Sequence, residues 1–426
     1  MLHRRPAPPR IPSSLAALLL VLSLMLGGAA VLAADVDIFR LELGDPERKS
    51  RTVDLVLDAI TDGGTGDLLE PADLPARLAD TRLLFVGESH TSIDFHRVQL
   101  RVIRELQAAG RPVMIGLEMY PYTEQRFLDR WVRGLLTEKG FVELSDWYEN
   151  WGYHWDYYRE IFLYARDNGI PMYALNTPRE VIKSVRTKGF ENLTEEEASR
   201  VPGEIDTDSD EHFELFRAFF SGGDDDFHSS MSEPQLRGMF HAQCAWDATM
   251  AHNSVRALEA HGEPGSVMVV LIGSGHVAYG LGIQRQAAQW FDGRMASLIP
   301  IPVLGPECER IERVQASYAD FLWGLPPESA PLYPGLGVST VKTGEGERRK
   351  VIHVAEESVA EKAGFATGDV LWTLDGHDLP DRGALNRAMS RLRWGDSAVI
   401  EVRRGDETVA LTAHFRRERP EPCEEE

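Results

Sequence analysis

Short apolar runs alternate with amphipathic helical segments through roughly the first three hundred residues of the chain. Four of these runs predict strands, at residues 82–86, 112–116, 170–175 and 267–272. They are rich in branched side chains and barely alternate in polarity, which is typical of strands buried on both faces. Strands and helices in alternation predict an α/β fold with a mostly parallel sheet and helices on both faces.

Each predicted strand is followed by a polar or ionisable cluster. The clusters are Gly-Glu-Ser-His at 87–90, Gly-Leu-Glu-Met at 116–119, Asn-Thr-Pro-Arg at 176–179 and Gly-Ser-Gly-His at 273–276. Open α/β sheets bind ligands just beyond the carboxyl ends of their strands, so these separate motifs predict one pocket. Glu88 could instead cap the helix that starts beside it, since a carboxylate suits a helix N-terminus.

Histidine and glutamate side chains in one pocket suit metal-dependent hydrolysis. A divalent metal ion between His90, His276 and either Glu88 or Glu118 would keep one coordination position for water. The glutamate that is not a ligand would then act as general base. Asp247, on a long predicted helix, could line the opposite wall of the pocket, although an aspartate there also suits a solvated helix face.

Taken together, the motifs resemble those of the ChaN-like haem-binding proteins. The strand-end clusters, His96 with Gln99, the aromatic segment 147–158 and the segments 174–179 and 242–251 match in order across residues 70–304. The resemblance implies an α/β fold shared with Tiki proteases, TraB-like proteins and erythromycin esterases. Members of that superfamily use these motifs for metal-dependent hydrolysis or for ligand binding, so fold alone does not choose between the two uses.

Haem is the cofactor that the resemblance favours, with a divalent metal ion as the alternative. A haem site needs an aromatic slot, an axial histidine or tyrosine, and basic groups for the propionates. In addition to His90 and His276, the candidate axial ligands are Tyr153, His154 and Tyr157, and Arg179 is the candidate propionate partner. Aromatic residues at this density also suit a packed core. The resemblance further raises a homodimer with haem held between two subunits at residues 147–158.

Residues 331–416 resemble a PDZ domain of the type found in bacterial proteases. Gly335 and Gly337 leave backbone N–H groups free for a terminal carboxylate, and the strand that begins with Leu336 and Val338 offers an edge to an extended peptide. A helix predicted at 381–392 forms the other wall of this groove. We expect the partner to be a C-terminal or extended peptide of an envelope protein, unless the first domain fills the groove.

The N-terminus predicts export. Arg4, Arg5 and Arg10 precede an uncharged, Leu- and Ala-rich stretch at 11–34, and small residues before position 34 suit cleavage after Ala33. Residues 1–33 are therefore predicted to be a signal peptide, and membrane association is expected only if it stays uncleaved. This places the protein in the periplasm or cell envelope of a bacterium.

The remaining boundaries and exclusions follow from composition. We predict the ChaN-like domain at 50–310, a linker at 311–330 and an acidic tail at 417–426. A net charge of -22, from 67 acidic and 45 basic residues, excludes nucleic acid as an expected partner. Three cysteines without metal-ligand spacing indicate no disulfide framework, although Cys244 and Cys308 could pair.

Overall fold

A computed structural model describes residues 37–221, 232–305, 308–327, 330–343 and 347–417. The predicted signal peptide and all but the first residue of the acidic tail lie outside the described residues. Within the described ranges, none of the helices combines the length and the apolar character needed to cross a membrane.

The first domain is built on one large, mostly parallel sheet. The described strands of the first domain are β1 (Thr52–Asp54), β2 (Ile60–Asp62), β3 (Leu68–Leu69), β4 (Thr81–Glu88), β5 (Val113–Pro121), β6 (Met172–Asn176), β7 (Val267–Gly273), β8 (Arg294–Pro302), β9 (Arg313–Gln315) and β10 (Phe321–Leu325). The eight-stranded sheet has the order β3-β2-β10-β8-β4-β7-β5-β6, and β1 pairs separately with β9. All neighbours from β10 to β6 are parallel, whereas β2 and β3 pair antiparallel at one edge. The predicted fold class is confirmed.

Helices cover both faces of this sheet. They are α1 (Leu74–Arg77), α2 (Ile93–Ala108), α3 (Gln125–Val132), α4 (Glu138–Leu144), α5 (Trp147–Asn150), α6 (Arg159–Asp167), α7 (Arg179–Lys188), α8 (Glu195–Ala198), α9 (Asp210–Ser221), α10 (Glu233–His261) and α11 (Ile283–Ala287). In β4, Leu84 and Val86 join the core under α2 and α6, whereas Leu83 and Phe85 join the core under α10. Burial on both faces explains why the strand sequences do not alternate in polarity.

Two predicted boundaries are corrected by the structure. The second strand does not stop at Gly116 but continues to Pro121, and its register against β6 shifts after Leu117. Met119 and Tyr120 are buried in the core, which keeps the chain extended beyond Glu118. The predicted linker at 311–330 instead supplies β9 and β10, and β10 lies within the large sheet between β2 and β8.

The second domain is an antiparallel sheet with two helices. Its elements are β11 (Val338–Lys342), β12 (Arg349–Val354), α12 (Val359–Ala363), β13 (Val370–Leu374), β14 (His377–Asp378), α13 (Arg382–Met389), β15 (Ser397–Arg404) and β16 (Glu407–His414). The strand order β11-β12-β13-β15-β16 leaves β11 at an edge, with β14 paired to β13. Val351, Leu371, Ile400 and Phe415 form the centre of a separate apolar core. Helix α13 of this domain packs on α5 of the first domain.

Cys244 is a free thiol buried in α10. The pairing of Cys244 with Cys308 that the sequence left open is therefore not formed.

Candidate functional site

The carboxylate of Glu88 lies at the end of β4 and is held from several sides. Its Oε1 accepts a hydrogen bond from the Tyr158 hydroxyl at 2.6 Å and lies 2.8 Å from His90 Nδ1. Its Oε2 accepts from the Gln99 amide at 2.7 Å and lies 3.6 Å from His96 Nδ1. The helix that follows, α2, uses Ser92 as its N-cap residue, so Glu88 does not serve as a helix cap.

Glu88 and His90 form a hydrogen-bonded pair. Burial opposes the charge on Glu88, but His96, His90 and the Tyr158 hydroxyl outweigh it and lower the pKa of Glu88 to about 2. Burial likewise opposes the charge on His90, yet the hydrogen bond to Glu88 and the charges of Glu118 and Glu88 raise its pKa. Since the carboxylate accepts the proton on Nδ1, the Nε2 atom is the one that His90 can offer to a ligand. The His90 side chain is 28% exposed.

His276 is held in a second carboxylate pair at the end of β7. Its Nδ1 lies 2.5 Å from Asp247 Oδ1 on α10, and its Nε2 lies 3.5 Å from Glu118 Oε1. Glu118 also accepts a hydrogen bond from the Gly273 backbone N–H at 2.7 Å. Burial opposes the charge on His276, but Asp247 and Glu118 raise its pKa to about 10. The Asp247 carboxylate is buried and therefore faces His276 and not solvent.

The two histidines meet over Gly273. A Cβ atom built on this glycine would lie 3.1 Å from His90 Cε1 and 3.6 Å from His276 Cδ2. The strands that carry the three motifs, β4, β7 and β5, are neighbours in the sheet, so their ends converge on one point. The structure thus brings His90, His276, Glu88 and Glu118 together, as the strand-end motifs predict.

The predicted site for a divalent metal ion is not supported. Within the ranges that the structure describes, no group of three or more His, Cys, Asp or Glu side chains could hold a metal. The hydrolase hypothesis built on that metal site stays a prediction.

Comparison with known proteins identifies the first domain. Residues 74–286, half of the 426-residue chain, match the family described as haem-binding uptake, Tiki superfamily, ChaN. The protein belongs to the ChaN family. Residues 334–414 match the PDZ domain family, which gives this ChaN protein a protein-interaction domain.

Three individual proteins show the range of similarity to this ChaN protein. RETICULATA-RELATED 5 of Arabidopsis thaliana, a chloroplastic protein, is 24% identical over 292 residues, covering 65% of this chain but only 38% of its own length. A Campylobacter jejuni ChaN structure with cofacial haem binding covers 62% of this chain and 95% of its own, with 17% identity and a TM-score of 0.48. The HtrA3 PDZ domain bound to a phage-derived ligand covers 19% of this chain and 82% of its own, with 22% identity and a TM-score of 0.17.

Only part of the aromatic segment of the ChaN domain reaches the histidines. The rings of Trp151 and Tyr153 both lie 4.8 Å from the His90 ring, centroid to centroid. Trp147 and Trp155 are instead buried in the core, where they stack edge to face, and Tyr158 packs on Trp147 with its hydroxyl on Glu88. Most of this segment is therefore core packing, and Tyr153 is the predicted axial candidate that the fold places beside His90.

The other predicted ligands lie against the PDZ domain or at the surface. His154 stacks on Tyr333 with ring centroids 3.4 Å apart, and its Nε2 atom lies 3.0 Å from the Ser390 carbonyl oxygen. The Tyr157 hydroxyl accepts from the Leu332 backbone N–H at 2.9 Å. Arg179 is exposed at the start of α7 and donates to the carbonyl oxygen of residue 150 at 2.6 Å. The structure does not bring these three side chains into contact with His90 or His276.

The PDZ domain also covers the surface on which a haem-sharing dimer was predicted. Helix α13 faces α5, and residues 148–154 contact it directly through backbone and side-chain atoms. Haem held between two subunits at this surface would require the two domains to separate.

Proposed function

We propose that this protein is an exported haem-binding protein whose pocket lies where β4, β5 and β7 end, and whose PDZ domain docks it to a peptide. The observation that carries the proposal is His90, which is oriented by Glu88 and flanked by the rings of Trp151 and Tyr153. Membership of a haem-binding family supports the choice of ligand. The predicted signal sequence at 1–33 and the family's description as an uptake family support export to the periplasm or cell envelope.

The residues at the pocket fit the chemistry of haem. A histidine whose Nδ1–H is held by a carboxylate is a stronger and better oriented axial ligand through Nε2. Tyr153 is half-buried beside it, with its ring 4.8 Å from the His90 ring. The Trp151 and Tyr153 rings supply an apolar surface for a flat macrocycle. Bound haem would add an iron centre, while these residues would orient it and exclude water.

A haemin titration tests this proposal directly. We expect purified protein to give a saturable shift of the Soret band with haemin, and the His90→Ala variant to bind roughly ten- to a hundredfold more weakly. Tyr153→Phe should change the spectrum or affinity if the phenol ligates iron. His377→Ala is the matched control, because His377 is exposed in the PDZ domain on β14. Binding by wild type that neither His90→Ala, His276→Ala nor Tyr153→Phe alters would contradict the proposed pocket.

The PDZ groove supports docking to an extended peptide. Among the described residues, strand β11 has a neighbouring strand on one side only, so its other edge offers backbone groups to a peptide. Gly337 has a left-handed φ of +80°, and a Cβ there would meet Ser358 Cβ at 2.3 Å. A Cβ on Gly335 would meet nothing within 4 Å, which leaves room in front of the loop that precedes β11. We propose that this room receives a terminal carboxylate.

Filling that room should abolish peptide binding without unfolding the domain. Gly335 does not have a left-handed φ, so Gly335→Leu should change the free energy of unfolding by less than about 0.5 kcal/mol. The probe is a decapeptide selected from a random C-terminal library, synthesised as free acid and as amide, with affinity measured by fluorescence anisotropy. We expect at least a roughly tenfold loss from either Gly335→Leu or amidation.

Gly203→Leu is the control, since Gly203 also has open space around its Cβ direction but lies in the ChaN domain. Equal affinity for the acid and the amide, or normal binding by Gly335→Leu, would show that the groove does not bind a carboxyl terminus.

A further inference from the structure

The PDZ helix α13 lies against the segment that lines the haem pocket. The Asn386 amide donates to the Tyr148 carbonyl oxygen at 2.9 Å. Gly383 approaches Glu149 so closely that a Cβ on this glycine would lie 3.1 Å from the Glu149 Cβ. These contacts place the first turn of α13 next to residues 151–153, the same residues that flank His90.

Arg382, the first residue of α13, is inserted at this point. Its Nη2 donates to the Trp151 carbonyl oxygen at 3.3 Å, while its Nη1 is buried without a hydrogen-bond acceptor. Gly152 makes room for it: φ is +96°, and a Cβ here would lie 2.9 Å from Arg382 Nη2. A guanidinium N–H that is buried and unpaired is costly, so a ligand that supplies an acceptor would be bound favourably there.

A second buried donor lies beside the first. The Trp151 indole N–H makes no hydrogen bond of normal geometry, although the residue is only 7% exposed and Tyr158 lies near it. The Trp151 ring is also perpendicular to His90, with an interplanar angle of 79°. Arg382 Nη1 and Trp151 Nε1 are therefore two buried donors among the residues around the predicted axial ligands, and Arg382 Nη1 is the one that has no acceptor nearby.

The charges around the pocket are distributed unevenly. Its floor carries the buried carboxylates of Glu88, Glu118 and Asp247. The Tyr153 phenol lies near both the carboxylates of the floor and Arg382 of the PDZ domain. Burial and the charges of Glu118 and Glu88 raise its pKa, and the charge of Arg382 lowers it. The floor carboxylates already face His90 and His276, whereas Arg382 Nη1 has no acceptor, so a ligand with negatively charged groups would be attracted to the PDZ side.

We propose that Arg382 completes the ligand pocket of the ChaN domain from the PDZ domain, and that its free guanidinium N–H pairs with a carboxylate of the ligand, which for haem is a propionate. This inference rests on the proposed haem-binding function. Arginine suits the role because its planar fork can hold Trp151 with one nitrogen and a carboxylate with the other. The complete site then exists only in the two-domain protein.

The test compares haemin with haemin dimethyl ester, in which both propionates are masked. Affinities of wild type, Arg382→Gln and Arg382→Lys are measured from the Soret band in the same detergent, and folding is checked by circular dichroism melting. We expect Arg382→Gln to bind haemin roughly ten- to a hundredfold more weakly and the ester with unchanged affinity. Arg382→Lys should lie between, because lysine retains the charge but not the fork.

Arg387→Gln is the matched control on the same helix, where Arg387 lies 3.7 Å from Asp146 at the exposed rim of the domain interface. It should bind both ligands as wild type does. If Arg382→Gln binds haemin normally, or loses haemin and ester equally, Arg382 only joins the domains and the inference is wrong. If wild type binds neither ligand, the proposed function itself fails.

Discussion

The free energy of unfolding of the haem-free protein should fall by about 4 kcal/mol between neutral and alkaline pH, because His276 loses its proton. The ordinary pKa of 6.5 is raised to about 10 in the folded protein by Asp247 and Glu118, against the opposing effect of burial. Because the pKa of His276 is higher in the folded than in the unfolded protein, protonated His276 stabilises the fold. This stabilisation is complete below pH 6.5 and is lost as the pH rises through 10. The imidazolium side chain is only 12% exposed, so solvent screens this contribution little.

At acid pH, Glu88 should make the free energy of unfolding rise with pH, opposite to the effect of His276 at alkaline pH. Its pKa falls from 4.5 to about 2 on folding, since His96, His90 and Tyr158 together outweigh the cost of burial. A lowered pKa contributes stability above pH 4.5 that is lost as pH drops toward 2, here about 3 kcal/mol. A plot of stability against pH should therefore have an acid limb due to Glu88 and an alkaline limb due to His276, with the greatest stability between them.

Urea unfolding across a pH series measures both limbs, and two variants assign them. Asp247→Asn should flatten the alkaline limb, because His276 loses its strongest charge partner, and Glu88→Gln should flatten the acid limb. Both variants will be less stable at neutral pH, so the slope with pH is the quantity to compare. His377→Ala should leave both slopes as in wild type. An alkaline slope that survives in Asp247→Asn would show that His276 does not cause it.

The sequence predicts the centre of this site well, for a physical reason. Parallel strands buried on both faces have a distinctive composition, and their carboxyl ends must lie at one edge of the sheet. Glu88, His90 and His276 could therefore be placed together from strand positions alone. Glu118 was placed correctly even though its strand continues past it to Pro121, because a shift in register against β6 does not move it away from Gly273.

The interactions between distant segments could not be predicted in the same way. For Asp247 the sequence left open a wall of the pocket and a solvated helix face, because α10 is buried on so much of its surface that periodicity does not choose between them. Strands β9 and β10 are short and flanked by polar residues, so their local sequence does not distinguish them from a linker. Arg382 carries no local signal at all, because its position beside Trp151 depends on how two domains pack.

Replacing Trp147 with alanine should destabilise the ChaN domain by about 3–5 kcal/mol. Trp147 is fully buried, with ring centroids 5.0 Å from Trp155 and 5.3 Å from Tyr158. A cavity here would loosen the core under the pocket. Thermal and urea unfolding measure the loss, and Leu144→Ala, at a side chain that is 51% exposed, should change stability by less than about 0.5 kcal/mol.

The same residue should also affect the ligand, through a hydrogen bond. Trp147 Nε1 donates to the Tyr153 carbonyl oxygen at 2.7 Å and so fixes the backbone that presents Tyr153 to His90. Trp147→Phe keeps most of the apolar volume but removes this donor, so it should cost less stability than alanine and still weaken haemin binding. If Trp147→Phe binds haemin as wild type does, core packing and not this hydrogen bond positions Tyr153.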